Sequence, residues 1–134
     1  MTKIWTNGCF DVLHRGHIEL FKFAKSLGDY LVVGLDSDEK IKRAKGNDRP
    51  FNNYEDRREI LLSIKYIDEV WYFDTRDKLV ESIKKYQPDI LVMGSDWKGR
   101  EVVGDDIVDD VRFFDRVGNY STTEILQNEK TLPK

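Results

Sequence analysis

Apolar and polar residues change rhythm along this chain in a regular way. Short runs at residues 3–6, 30–35, 69–73, 90–93 and 111–114 are rich in β-branched and aromatic side chains, and each predicts a strand. In Leu31-Val32-Val33-Gly34-Leu35 almost every side chain is apolar, so both faces are expected to be covered, as in a central parallel strand. Between the runs, apolar residues recur at helical intervals. Ile18, Leu20, Phe21, Phe23, Ala24 and Leu27 predict a helix over residues 15–27, with Gly28 as its stop. Asp36, Ser37 and Asp38 are candidate caps for a short helix through Lys42. A helix over residues 54–64 would turn Ile60, Leu61 and Ile64 inward, and another over residues 78–86 is ended by Pro88. Asn7-Gly8 reads as a turn, and residues 43–53 and 94–110 read as polar loops, the first of them mobile. Ser121-Thr122-Thr123-Glu124 has the Ser-x-x-Glu spacing of a capping box and predicts a last helix to about Asn128.

Strands alternating with helices predict an α/β fold: a Rossmann-like, doubly wound, five-stranded parallel sheet with helices on both faces. There is no internal repeat, low-complexity tract or linker, so residues 1–134 are expected to form one domain. A chain of 134 residues can hide roughly two thirds of its unfolded surface, enough for a core without staples. Its one cysteine, Cys9, excludes an intrachain disulfide and suits a reducing compartment. The N-terminal residues lack the charged segment and apolar run of a secretory signal, and no apolar run approaches the ~20 residues of a membrane span. A cytoplasmic protein without a membrane partner is the expectation. Lys and Arg number 22 against 25 Asp and Glu, a net charge of −3, which argues against a nucleic-acid partner.

In a doubly wound sheet, ligands bind beyond the carboxyl ends of the strands. The loop after the first strand is the densest in chemistry there: Gly8-Cys9-Phe10-Asp11-Val12-Leu13-His14-Arg15-Gly16-His17. One isolated histidine is commonly an ordinary core or surface residue. Here both histidines of the chain flank a glycine at the mouth of a helix. Gly16 lets a ligand approach the backbone, and the helix N-terminus offers N–H groups to an anion. Two imidazoles beside it can donate to phosphate oxygens, as displacement at phosphorus requires. A zinc pair lacks a third ligand at suitable spacing, and no metal-binding residue is assigned.

His14-Arg15-Gly16-His17 resembles the HxGH signature of the nucleotidylyltransferase superfamily, and Asn7 to Leu13 resembles that family's first loop. Ser121-Thr122-Thr123 resembles its second signature, so the similarity spans nearly the whole chain. The resemblance implies that a substrate phosphate attacks the α-phosphorus of a nucleoside triphosphate and that pyrophosphate leaves. His14 and His17 would then stabilise the transferring group, while Ser121, Thr122 and Thr123 hold the β- and γ-phosphates. Magnesium would accompany the triphosphate, and a homodimer is expected from small members of the family.

Lys45-Gly46 with Arg49-Pro50 resembles the KGxxRP segment of heptose-phosphate adenylyltransferases, which makes Lys45 a candidate catalytic and substrate-binding residue. Arg57 resembles an arginine near the substrate phosphate in glycerol-3-phosphate cytidylyltransferases, and Asp11 is assigned to the substrate or to holding its loop. Gly8, Cys9, Phe10, Gly16, Gly94, Asp96 and Arg116 are expected to bind nucleotide, and Trp97 substrate. Marks of both subfamilies are present. The Asn7 to Asp11 loop and Glu101-Val102-Val103-Gly104 resemble the enzyme that makes ADP-heptose, whereas residues 54–57, 67–70 and 92–99 and Arg116 resemble the cytidylyltransferase. CTP is the expected donor, with a small polyol or sugar phosphate such as glycerol 3-phosphate as acceptor. ATP with a heptose 1-phosphate-like acceptor is the alternative, and a non-catalytic nucleotide-binding module is the reading from another class. Residues 40–58 hold seven basic and three acidic residues, a local anion site within a mildly acidic chain, while residues 101–116 hold six acidic and two basic ones.

Overall fold

The computed structural model describes residues 1–115. Its strands are β1 (Lys3–Gly8), β2 (Tyr30–Asp36), β3 (Glu69–Phe73), β4 (Ile90–Gly94) and β5 (Asp110–Phe114). They form one parallel sheet in the order β3-β2-β1-β4-β5. Helices α1 (Arg15–Ser26), α2 (Asp38–Lys45), α3 (Tyr54–Leu62) and α4 (Arg76–Tyr86) lie between them, with a 3₁₀ turn at Ser95–Trp97. This is the expected Rossmann-like α/β architecture.

The period of two along each strand sorts its side chains between the faces. Ile4, Leu31, Val33, Leu35 and Val92 pack with Phe21 and Ala24 of α1 and Leu61 of α3. Their immediate neighbours Trp5, Val32, Leu91 and Met93 point the other way, to Leu79, Ile83 and Tyr86 of α4. Burial on both sides is why the central strands carry little polar punctuation. At Gly34 the backbone leaves room for the Trp5 indole, since a Cβ there would lie 2.5 Å from Trp5 Cζ2.

Several boundaries differ from the sequence reading. Asn7-Gly8 is no turn: β1 continues to Gly8, and Asn7 Oδ1 accepts from Trp5 Nε1 at 3.0 Å. Ser37 alone supplies the N-cap of α2, which runs three residues past Lys42 to Lys45. Helix α4 starts at Arg76 because the Thr75 hydroxyl caps it through the Lys78 N–H. Gly28 follows α1 as expected, but for close approach: a Cβ would meet the Thr2 carbonyl oxygen at 2.7 Å. Ile60 is 43% exposed and Leu61 is the apolar side chain that α3 buries. The predicted last helix lies outside the described residues, among which no helix is long and apolar enough to cross a membrane.

Candidate active site

Chain order runs from β1 to β2 to β3 in one direction and then resumes at β4 on the other side of β1. Such a reversal opens a crevice at the carboxyl ends of β1 and β4. A cavity of about 510 Å³ occupies this place, lined by the ends of β1, β2 and β4, the start of α1 and the last turn of α2. Gly8, Cys9, Phe10, His14, Gly16, His17, Lys45, Gly94, Asp96 and Trp97 all border it.

The two histidines close the N-terminus of α1 on each other. His14 is the N-cap, and its Nδ1 accepts the Gly16 N–H at 3.0 Å. His17 Nδ1 in turn accepts the His14 N–H at 3.2 Å. This is a capping box built from imidazoles, with the rings stacked at 4.0 Å between centroids. Both bonds use Nδ1 as acceptor, so the neutral rings carry their protons on Nε2. Each ring thereby becomes an oriented N–H donor beside the helix terminus.

Burial, and then the neighbouring His14, lowers the His17 pKa from 6.5 to about 4, which keeps the ring neutral at physiological pH. The unfolded chain takes up this proton near pH 6.5 and the folded one only near 4, so the stabilisation is complete above 6.5 and lost as pH falls toward 4. The expected loss across that window is on the order of 3 kcal/mol. Urea midpoints at pH 7.5, 5.5 and 4.5 would show it, and His17→Asn, which does not titrate there, should remove most of this pH dependence while unfolding near the wild-type midpoint at pH 7.5. An identical pH dependence in that variant would contradict the assignment.

Beneath the histidines, Phe10 is buried edge-on to His17, with ring centroids 5.6 Å apart. Its φ of 42° is the left-handed region that a phenylalanine seldom occupies. Gly8 accommodates its ring, since a Cβ there would stand 3.1 Å from Phe10 Cζ. Phe10 and Gly8 thus border the cavity but also shape the support of His17.

Two residues assigned to substrate from sequence have different positions. The Asp11 carboxylate is buried and accepts from Arg49 Nε at 2.9 Å, Phe51 N–H at 2.7 Å and Asn52 N–H at 2.8 Å. It holds the segment after α2 against the first loop, the second of the two roles expected of it, and so ties down Arg49, Phe51 and Asn52 within the stretch read as a mobile loop. Arg57 is also buried, and its guanidinium donates to the carbonyls of Asn52, Cys9 and Asp36 and to Asp38 Oδ1. Rather than meeting a substrate phosphate, it clips the ends of β1 and β2 together from below. Sequence similarity located this arginine near the site, but its partners are brought together only by the tertiary fold.

Lys45, at the end of α2, reaches the cavity and donates from Nζ to Cys9 Sγ at 3.1 Å. Gly94, Asp96 and Trp97 form the opposite wall, with the Trp97 side chain 42% exposed. Arg116, Ser121, Thr122 and Thr123 lie outside the described residues. Asp36 and Lys40 also border the cavity and were not singled out from sequence as site residues. The signal was available, because Asp36 ends a strand on the side where such folds bind ligands, but its neighbourhood to Ser37 suggested a cap instead.

A family model described as Cytidylyltransferase-like matches residues 5–128. The chain belongs to the cytidylyltransferase-like family. Among its relatives, Bifunctional protein HldE of Campylobacter concisus is 49% identical over 127 residues, covering 95% of this chain and 27% of its own length. HldE of Nitratiruptor is 48% identical over 128 residues, covering 96% and 28%, and that of Helicobacter pylori J99 is 44% identical over 129 residues, covering 95% and 27%. This cytidylyltransferase-like chain therefore spans about a quarter of the length of these curated relatives. A crystal structure of the lipopolysaccharide core biosynthesis protein from Thermoplasma volcanium superposes with a TM-score of 0.72 at 25% identity, covering 88% of this chain and 99% of that one. A protein from Archaeoglobus fulgidus shares the fold, with a TM-score of 0.61 at 18% identity over 87% of this chain and all of its own. The cytidylyltransferase-like family is one of nucleotidyltransferases.

Proposed function

We propose that this domain transfers an adenylyl group from ATP to the phosphate of a heptose-type sugar phosphate. The observation that carries the reaction type is the imidazole capping box, which engages each ring through Nδ1 and leaves Nε2 of both rings out of the capping of the helix terminus at the cavity. An oxygen of the acceptor phosphate forms a bond to the α-phosphorus, the bond from that phosphorus to the bridging oxygen breaks, and pyrophosphate leaves. The acceptor is already ionised at neutral pH, so no general base is needed, and the main requirement is to stabilise charge on the transferring group. His14 and His17 supply that stabilisation, and Lys45 adds a cation from the opposite rim. Magnesium would accompany the triphosphate and supply charge neutralisation on its phosphate oxygens.

Similarity to the HldE proteins supports ATP and a heptose phosphate over CTP and glycerol 3-phosphate as first expected. The position of Lys45 at the cavity supports the same choice, because it begins the segment that resembles heptose-phosphate adenylyltransferases. The cytidylyltransferase-like stretch over residues 92–99 also borders the cavity, through Gly94 to Trp97, so CTP is the second reading. Pyrophosphate release distinguishes them when ATP and CTP are each paired with heptose 1-phosphate and glycerol 3-phosphate. Release with ATP and the heptose ester is expected. Preference for CTP would reverse the choice of base, and silence in all four pairings would leave a binding module.

A further inference from the structure

Asp36 and Asp96 are the acids among the described residues that line the cavity, and Asp36 is the one on the side of Lys40 and Lys45. Its strand register sets Leu35 beside Gly8, so Asp36 lies alongside Cys9, and Arg57 Nη1 donates to the backbone carbonyls of both residues at 2.9 Å. A carboxylate about 4 Å from a phosphate would be repelled by some ~4 kcal/mol at the effective dielectric of a protein surface. Such a group is tolerable beside a phosphate site when a ligand supplies it with donors.

Its bonding is weaker than that of three other carboxylates near the ends of β1 and β2 or their supports. Asp11 is occupied by three donors, Asp68 by Lys25 and the Leu31 N–H, and Asp38 by Arg57. The Asp36 carboxylate has, among the described residues, only Lys40 Nζ at 3.4 Å, the weak end of hydrogen bonding. A carboxylate has about four acceptor sites, so most of this capacity is left over on a side chain that is only 15% exposed and borders the cavity. Burial accordingly raises the Asp36 pKa, against the pull of Lys40. Asp36 also lies on the β2 side of the histidines, across the cavity from Gly94, Asp96 and Trp97 on the β4 side. Two different ligand parts can therefore meet at the α1 terminus.

We propose that Asp36 determines acceptor specificity by accepting hydrogen bonds from hydroxyl groups of a polyhydroxylated phosphate ester whose phosphate lies at the His14–His17 terminus. This rests on the nucleotidyl-transfer reading for the location of the acceptor, and it names the chemistry selected there: vicinal hydroxyls close to the phosphate, rather than the phosphate alone. A site that binds a hydroxyl through a buried polar group discriminates strongly against analogues without it.

The test is equilibrium binding by NMR titration of the whole chain with heptose 1-phosphate and with methyl phosphate, which carries the anion but no hydroxyls. Wild-type protein is expected to prefer the heptose ester, and Asp36→Ala to reduce that preference by about tenfold or more. Methyl phosphate should bind the variant at least as tightly as wild type, since a like charge has gone. Asp36→Asn, which keeps the volume and one acceptor oxygen, should retain an intermediate preference if the alanine variant folds poorly. A wild-type protein with no preference, or variants that keep it in full, would overturn the proposal. Binding is read without turnover, so an Asp36-dependent preference without pyrophosphate release would defeat the proposed reaction and leave this inference standing. Turnover with a preference indifferent to Asp36 would do the reverse.

Discussion

His17→Ala is expected to lower kcat by about 10²-fold or more, the effect of removing one preorganised donor from a developing charge. The KM for ATP should move much less, because the lost bond matters chiefly at the transition state. Alanine also removes half of the capping box, worth about 1 kcal/mol of stability. His17→Asn separates the two effects. Its side-chain oxygen can take the place of Nδ1 as acceptor of the His14 N–H, while no donor remains at the position of Nε2. The asparagine variant should therefore unfold near the wild-type midpoint and still be slow. Steady-state rates and urea curves on the three proteins check this, and wild-type turnover in either variant would remove His17 from the chemistry.

The second large effect is on stability. Arg57→Met keeps an apolar stem of similar length but leaves the carbonyls of Asn52, Cys9 and Asp36 without the donor that joins them. Each unsatisfied buried acceptor costs about 1–3 kcal/mol, and Asp38 loses its ion-pair partner as well. A loss of about 3 kcal/mol or more is expected in urea unfolding, a large fraction of the stability of a small domain. Were Arg57 a substrate ligand, as its sequence context suggests, the same change would raise the acceptor KM and leave the unfolding midpoint in place. The two roles thus give opposite patterns.

What could be read from the chain was whatever is decided locally. Strand periodicity separated Ile4 from Trp5 and Val32 from Val33 onto opposite faces, and the spacing of His14 and His17 around Gly16 put both at one helix terminus. Their mutual capping follows from the same spacing, since an N-cap and the third helical residue face each other across the first turn. Roles set by distant partners were not legible. Asp11 and Arg57 are polar residues in a motif-rich neighbourhood, and each makes a bond to a position more than 40 residues away. The same holds for the segment after Lys45, whose composition suggests mobility until the buried Asp11 carboxylate is known to hold it. Asp36 was hidden by its neighbour, since Ser37 does form the cap that the acidic cluster suggested.

The decisive measurement follows the α-phosphorus. With ATP labelled at that phosphorus and heptose 1-phosphate as acceptor, label should accumulate in a nucleoside diphosphate sugar, with one pyrophosphate formed for each label transferred. Label appearing as free AMP, or remaining wholly in ATP while the acceptor is intact, would contradict adenylyl transfer at the His14–His17 site.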